Sequence, residues 1–242
     1  MSAIASQLES VRETIASAAA RANRPASEIE LVAVSKTHPP EAIHEALDAG
    51  QTIFGESRVQ EAKAKIPLLP SRCRWHFIGH LQKNKIAQAL HLGVELFHGV
   101  DSLALAREIN RIAEAAGAFP HILLEINVAG ESTKYGFSPK TLEAEVEELL
   151  SLDRLAIDGL MCLPPLVPRA EEARKYFVAL RTLRDRIQAE FRLSLPQLSI
   201  GMSGDYPVAI EEGATLVRVG TAIFGHRTGK TWKPVAEPGF DD

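Results

Sequence analysis

Residues 29–56 read IELVAVSK, THPPEAIHEALDAG and QTIFGE in succession. The first block is a short apolar run of the kind that forms a buried strand, the second a turn leading into helix spacing, and the third begins another apolar run. Strand, helix and strand in so little chain imply a right-handed crossover between parallel strands. A dinucleotide-binding sheet would carry a GxGxxG loop after the first strand, and SKTHPP stands there instead. An open doubly wound sheet is therefore disfavoured.

The same alternation continues outward from this unit. RWHFIG, ELFHGV, HILLEINV, LAIDGLMCL, QLSIGM and LVRVGTAIFG follow as strand candidates, separated by QKNKIAQALHLG, SLALAREINRIAEAAG and similar helical stretches. Eight strands within 242 residues predict an α/β fold, a single (β/α)8 TIM-type barrel. No Pro/Gly/Ser-rich linker interrupts the chain, so residues 1–242 are expected to form one domain. Ahead of the first strand, Ile4, Leu8, Val11 and Ile15 repeat at helical spacing with Pro25 beyond the end, which predicts an extra N-terminal helix. Glu9 and Glu13 argue against a transit peptide there.

Composition excludes several classes of function. A chain 45% hydrophobic and 24% charged, with net charge −4, falls in the ordinary globular range. No basic stripe is long enough for a nucleic-acid footprint, since Lys83 and Lys85 make only a short cluster. No apolar stretch is long enough to span a bilayer, and a cytoplasmic location is expected. Cys73 and Cys162 lie far apart without a CxxC or histidine-rich neighbourhood, so neither a disulfide framework nor a metal site is indicated.

In such a barrel, ligand-binding residues sit on the loops at the carboxyl ends of the strands. Lys36 ends the first strand, where loss of solvent lowers an amine's pKa and makes it a nucleophile toward an aldehyde. The commoner fate of a strand-end lysine is to snorkel to water. After the seventh strand Ser203 and Gly204 directly precede a helix, and after the eighth come Arg218, Gly220 and Thr221. A hydroxyl and free backbone N–H groups at a helix start suit a phosphate, and glycine lets the backbone approach it closely. Singly, Ser203 reads as an N-cap and Gly220 as a tight bend. Together with Lys36 they point to a phosphate and an aldehyde in one ligand, which is pyridoxal 5′-phosphate (PLP). If Arg218 reaches the ring nitrogen, its guanidinium can only donate, and the nitrogen stays an unprotonated acceptor. Such a ring is a poor electron sink, which suits a carrier or an enzyme that needs only modest stabilisation of a carbanion.

AVSKTHPPEAI, TIFGESRVQEAKAKI, RWHFIGHLQKNK, INVAGESTKYGF, GLMCLPP and IGMSGDYPVAIEEGATLVRVGTAIFG, in that order, resemble the pyridoxal phosphate homeostasis proteins (the YggS/PROSC family). The resemblance spans nearly the whole chain. It implies the barrel of fold type III PLP proteins, similar to the amino-terminal domain of bacterial alanine racemase. Lys36 matches the family's Schiff-base lysine, Ser203, Gly220 and Thr221 its phosphate cradle, and Arg218 the arginine facing the ring nitrogen. The family's usual GEN is GES here, so Ser57 offers one hydroxyl where an amide is expected, and a cofactor contact from that loop is lost or water-mediated. His76 and His80 are candidates for proton transfer near the cofactor, although a histidine within an apolar strand is more often a satisfied core residue. Asn127 and Lys134 are candidates for the pocket mouth, against a turn amide and a solvated charge.

The resemblance implies a protein that buffers or delivers PLP to PLP-dependent apo-enzymes and sustains amino-acid and keto-acid balance, with no catalytic residue of its own. Fold type III racemases and decarboxylases add a β-rich second domain that supplies an acid/base from a partner subunit, whereas only HRTGKTWKPVAEPGFDD follows the last strand here. Two-sided proton transfer then lacks a partner, and a monomer is expected. Two alternatives stay open at this point: a fold type III amino-acid racemase, and a Schiff-base aldolase in which Lys36 attacks a phosphorylated sugar without PLP.

Overall fold

The computed structural model describes residues 2–131 and 133–225, so the expectation drawn from the tail at 226–242 lies outside the described residues. Eight parallel strands close into a barrel in sequence order: β1 (Glu30–Val34), β2 (Ile53–Glu56), β3 (Arg74–Phe77), β4 (Val94–Val100), β5 (His121–Glu125), β6 (Ala156–Met161), β7 (Gln197–Met202) and β8 (Leu216–Val219). β8 closes on β1 through Leu31↔Val217 and Ala33↔Val219. Helices α2 (Pro40–Asp48), α3 (Val59–Lys65), α4 (Ile86–Leu90), α5 (Leu103–Ala116), α6 (Pro139–Leu150), α7 (Arg174–Phe191) and α8 (Tyr206–Glu211) form the crossovers.

The extra N-terminal helix is α1 (Ala3–Arg21), started by Ser2, whose hydroxyl accepts from the Ala5 N–H at 3.2 Å. Its buried face carries Leu8, Val11, Ile15, Ala18 and Ala19 and packs on α2, α8 and α9 (Thr221–Phe224). Burying the larger of these side chains contributes about 1.5–3 kcal/mol each. α1 thereby joins the first and last units of the helical ring.

One strand expectation needs correction. LVRVGTAIFG leaves the sheet at Gly220, and Thr221–Phe224 turns into α9, with Ile223 and Phe224 N–H both donating to Gly220 O at 2.9 Å. An apolar run of that length reads as strand or helix alike. Ile223 is buried in the layer between barrel and helices, so the run is apolar because it packs outward.

Two apolar layers follow from the period-2 alternation of strand side chains. Outward residues such as Ala33, Phe54 and Val217 join the helices in the main core, while Val32, Ile53, Leu96, Leu123, Met161 and Leu216 fill the barrel interior. The interior layer is a plug beneath the carboxyl ends of the strands. Whatever continues the inward parity above it faces the carboxyl end of the barrel.

Candidate functional site

Val32, Val34 and Lys36 continue one parity along β1, and Leu216, Arg218 and Gly220 continue another along β8. Both sets reach a cavity of about 510 Å³ at the carboxyl end of the barrel, lined by Val34, Lys36, Ile78, Met202, Ser203, Gly204, Asp205, Arg218, Gly220 and Thr221. That volume suits a small-molecule ligand. One side is an apolar wall from the loop after β6, with Leu163, Pro165 and Leu166, the last almost fully exposed. Lys36 is half-buried at the cavity's edge. The structure brings together Lys36, Ser203, Gly204, Arg218, Gly220 and Thr221.

The polar end of the cavity is made where the loops after β7 and β8 meet. Ser203 Oγ accepts from the backbone N–H of Gly220 and of Ala222, each at 3.3 Å. Gly201 adopts φ +90°, and a Cβ there would come within 2.6 Å of Ala209 Cβ, so glycine allows α8 to sit close behind the Ser203 loop. At Gly220 a Cβ would crowd Val34 at 3.3 Å, whereas Gly204 opens onto free space. A hydroxyl, main-chain N–H groups and bare backbone fit the oxygens of a phosphate. Asp205 also lines the cavity; its Oδ1 accepts from Met202 N at 2.7 Å, and burial pushes its carboxyl up from the ordinary value.

Arg218 is 4% exposed and has no carboxylate hydrogen-bond partner among the described residues. Its Nη1 donates to Ser199 O at 2.8 Å and to Ser199 Oγ, and its Nη2 to Cys162 O at 3.0 Å. These bonds tie β8 to β7 and to the end of β6 and hold the guanidinium plane fixed. Burial pushes its pKa down, but a guanidinium keeps its charge and donates only. Ser199 Oγ must therefore accept from Arg218 and give its own hydrogen to His98 Nδ1, 2.8 Å away. His98 Nε2 then donates to His76 Nδ1 at 3.0 Å, which leaves His76 Nε2 as a buried N–H without an acceptor among the described residues. A one-way polar column thus runs down the barrel axis from the cavity.

The column makes stability pH-dependent. Burial lowers His76 from 6.5 to about 4 and takes His98 well below its ordinary value. As pH falls below the unfolded value, the unfolded chain binds protons that the folded chain refuses, so stability is lost between about pH 6.5 and 4. For His76 the loss is roughly 2 kcal/mol by pH 5. Urea unfolding at pH 7 and pH 5 should show this loss, and His76→Gln should reduce it.

The loop that presents Lys36 rests on a second buried cluster. Lys65, fully buried at the end of α3, donates to Ser35 O at 2.9 Å, Glu56 Oε1 at 2.9 Å and Glu61 Oε1 at 2.6 Å. Glu56 Oε1 also accepts from Ser35 Oγ at 2.7 Å, and Glu61 Oε1 from the Thr37 backbone N–H at 2.5 Å. Burial pushes the Glu56 carboxyl up, against the pull of Lys65 downward. Thr37 has φ +70°, a left-handed conformation that costs a β-branched residue on the order of 1–3 kcal/mol.

Other residues singled out in the sequence lie elsewhere. Ser57 and His80 line a neighbouring depression with Arg58, Lys85 and Tyr135. His80 pairs with Asp101 at 2.8 Å and stacks on Tyr135 at 4.1 Å, and His76 lies inside the barrel, so neither histidine lines the Lys36 cavity. Asn127 bonds the Glu131 backbone in both directions, and Lys134 pairs with Glu131; these are turn-forming roles. Sequence reading missed Ser199, His98, Glu125 and Lys65. Glu125 is buried beside the charge of Arg218, with burial the main cause that raises its carboxyl. Its signal was an acid two residues beyond Leu123 on the inward parity.

The family model described as "Alanine racemase, N-terminal domain" matches residues 6–228. The pyridoxal phosphate homeostasis protein of Aquifex aeolicus (strain VF5) is 44% identical over 222 residues, covering 91% of this chain and 97% of that protein. PipY of Synechococcus elongatus PCC7942 is 41% identical and covers 92% of this chain and 100% of its own, with TM-scores of 0.79 with PLP bound and 0.82 without PLP. Alanine racemase of Clostridium difficile 630 shares the fold alone, at 17% identity and TM-score 0.67, and 57% of it is covered.

Proposed function

The chain belongs to the family of pyridoxal phosphate homeostasis proteins, and from that premise we propose that it binds PLP in the Lys36 cavity and serves PLP homeostasis as a carrier. When bound, PLP supplies an aldehyde that an amine can hold reversibly and a pyridine nitrogen that accepts a hydrogen bond. Lys36 is the amine. Ser203, Gly204, Gly220 and Thr221 take the phosphate, and the Arg218 guanidinium, held edge-on by Ser199 and Cys162 O, donates to the ring nitrogen. The observation that carries this reading is the convergence of a strand-end amine, a neutral phosphate cradle and a fixed cationic donor on one cavity.

Arg218 suits a carrier, or an enzyme that needs only modest stabilisation of a carbanion. A donor-only group opposite the ring nitrogen keeps that nitrogen unprotonated, and an unprotonated ring stabilises a carbanion weakly. Amino-acid and keto-acid balance then depends on cofactor supply to PLP-dependent apo-enzymes, from a monomer in the cytoplasm. The purified chain should be yellow, or turn yellow on titration with PLP, and borohydride should bleach the band. A colourless protein that PLP cannot titrate overturns the reading, as does robust formation of D-amino acids from the L-enantiomers. Cleavage of a phosphorylated ketose would favour a Schiff-base aldolase instead.

A further inference from the structure

We propose that Lys65 is a positioning residue for Lys36: fully buried Lys65, with buried Glu56 and half-buried Glu61, grips the backbone on both sides of Lys36 and fixes where its amine enters the cavity. The inference rests on the reading of Lys36 as the PLP-holding amine.

Lys36 is bracketed by one cluster. On its N-terminal side the Ser35 carbonyl oxygen accepts from Lys65 Nζ, and the Ser35 hydroxyl donates to Glu56 Oε1. On its C-terminal side the Thr37 N–H donates to Glu61 Oε1, the same oxygen that accepts from Lys65. Lys65 thus ties the residue before Lys36 directly, and the residue after it through one carboxylate. The left-handed Thr37 marks where the chain turns out of strand geometry immediately past Lys36. A conformation so unfavourable for a β-branched residue persists only where the surroundings impose it. Here the imposing group is Glu61, held in turn by Lys65 one helical turn further along α3. Lys65 itself is not among the residues lining the cavity, so it acts through Lys36 and not on the ligand.

Burying a lysine with two carboxylates is a costly way to stabilise a fold, because apolar side chains of similar volume usually do as well. The arrangement does what apolar packing cannot: it specifies the direction of a carbonyl, a hydroxyl and an N–H within one turn. The Lys36 amine makes its bond to an aldehyde carbon with loss of one water, so its placement decides covalent capture. The phosphate cradle is held by its own contacts between the loops after β7 and β8, and none of these involves Lys65, Glu56 or Glu61.

Two ligands separate these contributions. PLP uses both the cradle and Lys36, whereas pyridoxine 5′-phosphate carries an alcohol in place of the aldehyde and uses the cradle alone. In the full chain, Lys65→Met should weaken PLP binding about 10- to 100-fold, the scale of a misplaced reacting group. Pyridoxine 5′-phosphate affinity should stay within about twofold, as expected of independent sites. In a Lys36→Ala background, Lys65→Met should cause no further loss of PLP. Glu61→Ala, which frees the Thr37 N–H and leaves the Lys65–Glu56 pair, should give the same selective loss and decides the matter if Lys65→Met does not fold. Equal loss of both ligands, an undiminished PLP affinity in the folded variants, or a loss that persists without Lys36 would overturn the proposal. A wild-type chain that does not bind PLP sinks the cofactor reading and this inference with it; wild-type binding with unselective loss sinks the inference alone.

Discussion

Replacing Lys36 with alanine is expected to abolish the visible absorbance of the PLP-loaded protein and to lower PLP affinity by about 100-fold, equivalent to about 3 kcal/mol. The size of the effect comes from what remains. Ser203, Gly220 and Arg218 are anchored by contacts that do not involve Lys36, so the phosphate and ring contacts proposed for them should persist when the amine is gone. Pyridoxine 5′-phosphate should bind Lys36→Ala as well as it binds wild type. The melting temperature without ligand should hardly move, because Lys36 is half-buried at the edge of the cavity and outside both apolar layers. Absorbance titration and thermal unfolding on the same preparation check all three statements.

Lys65→Met should have the largest effect on stability, about 3–5 kcal/mol, because it leaves buried Glu56 and half-buried Glu61 without their shared counter-charge. In a chain of this length that lowers the melting temperature by roughly 10 °C. The sign of the pH response identifies the cause. Glu56 is already pushed up by burial, with Glu61 pushing it further and Lys65 opposing both. Without Lys65 its folded pKa rises well above the unfolded one, so the folded state binds the extra proton and the deficit shrinks as pH falls from 7 toward 5. Adding Glu56→Gln and Glu61→Gln should likewise recover much of the loss. A deficit independent of pH would point to a packing defect.

The difference in legibility between Lys36 and Lys65 has a physical basis. Lys36 lies two residues past Val34 and four past Val32, so a regular strand carries the inward parity straight to it. Leu216, Arg218 and Gly220 are readable in the same way, because β1 and β8 pair without a register shift. The polar column was hidden by irregularity. Register shifts fall between Trp75 and His76, between Phe97 and Val100, and between Ser199 and Met202. A single irregularity reverses which residues face inward, so nothing in RWHFIG, ELFHGV or QLSIGM says that His76, His98 and Ser199 meet.

Lys65 was hidden for a different reason. EAKAK reads as a charged, solvated helical face, and Lys63 and Lys65 differ only in how α3 rolls onto the ends of β1 and β2. That roll buries Lys65 against Glu56 across a sequence gap of nine residues. The barrel itself was legible because repetition of strand and helix fixes it without any one register. The exception was TAIF, whose outward packing gives helix and strand the same composition.

The role proposed for Lys36 is to hold the cofactor covalently. Loading the full chain with PLP, fixing the adduct with borohydride, digesting it and reading the peptide masses tests this most directly. One reduced pyridoxyl phosphate group is expected, on the peptide that contains Lys36 and on that lysine. A label on Lys83, Lys85 or Lys134, or one spread over surface lysines with Lys36 unmodified, would contradict it.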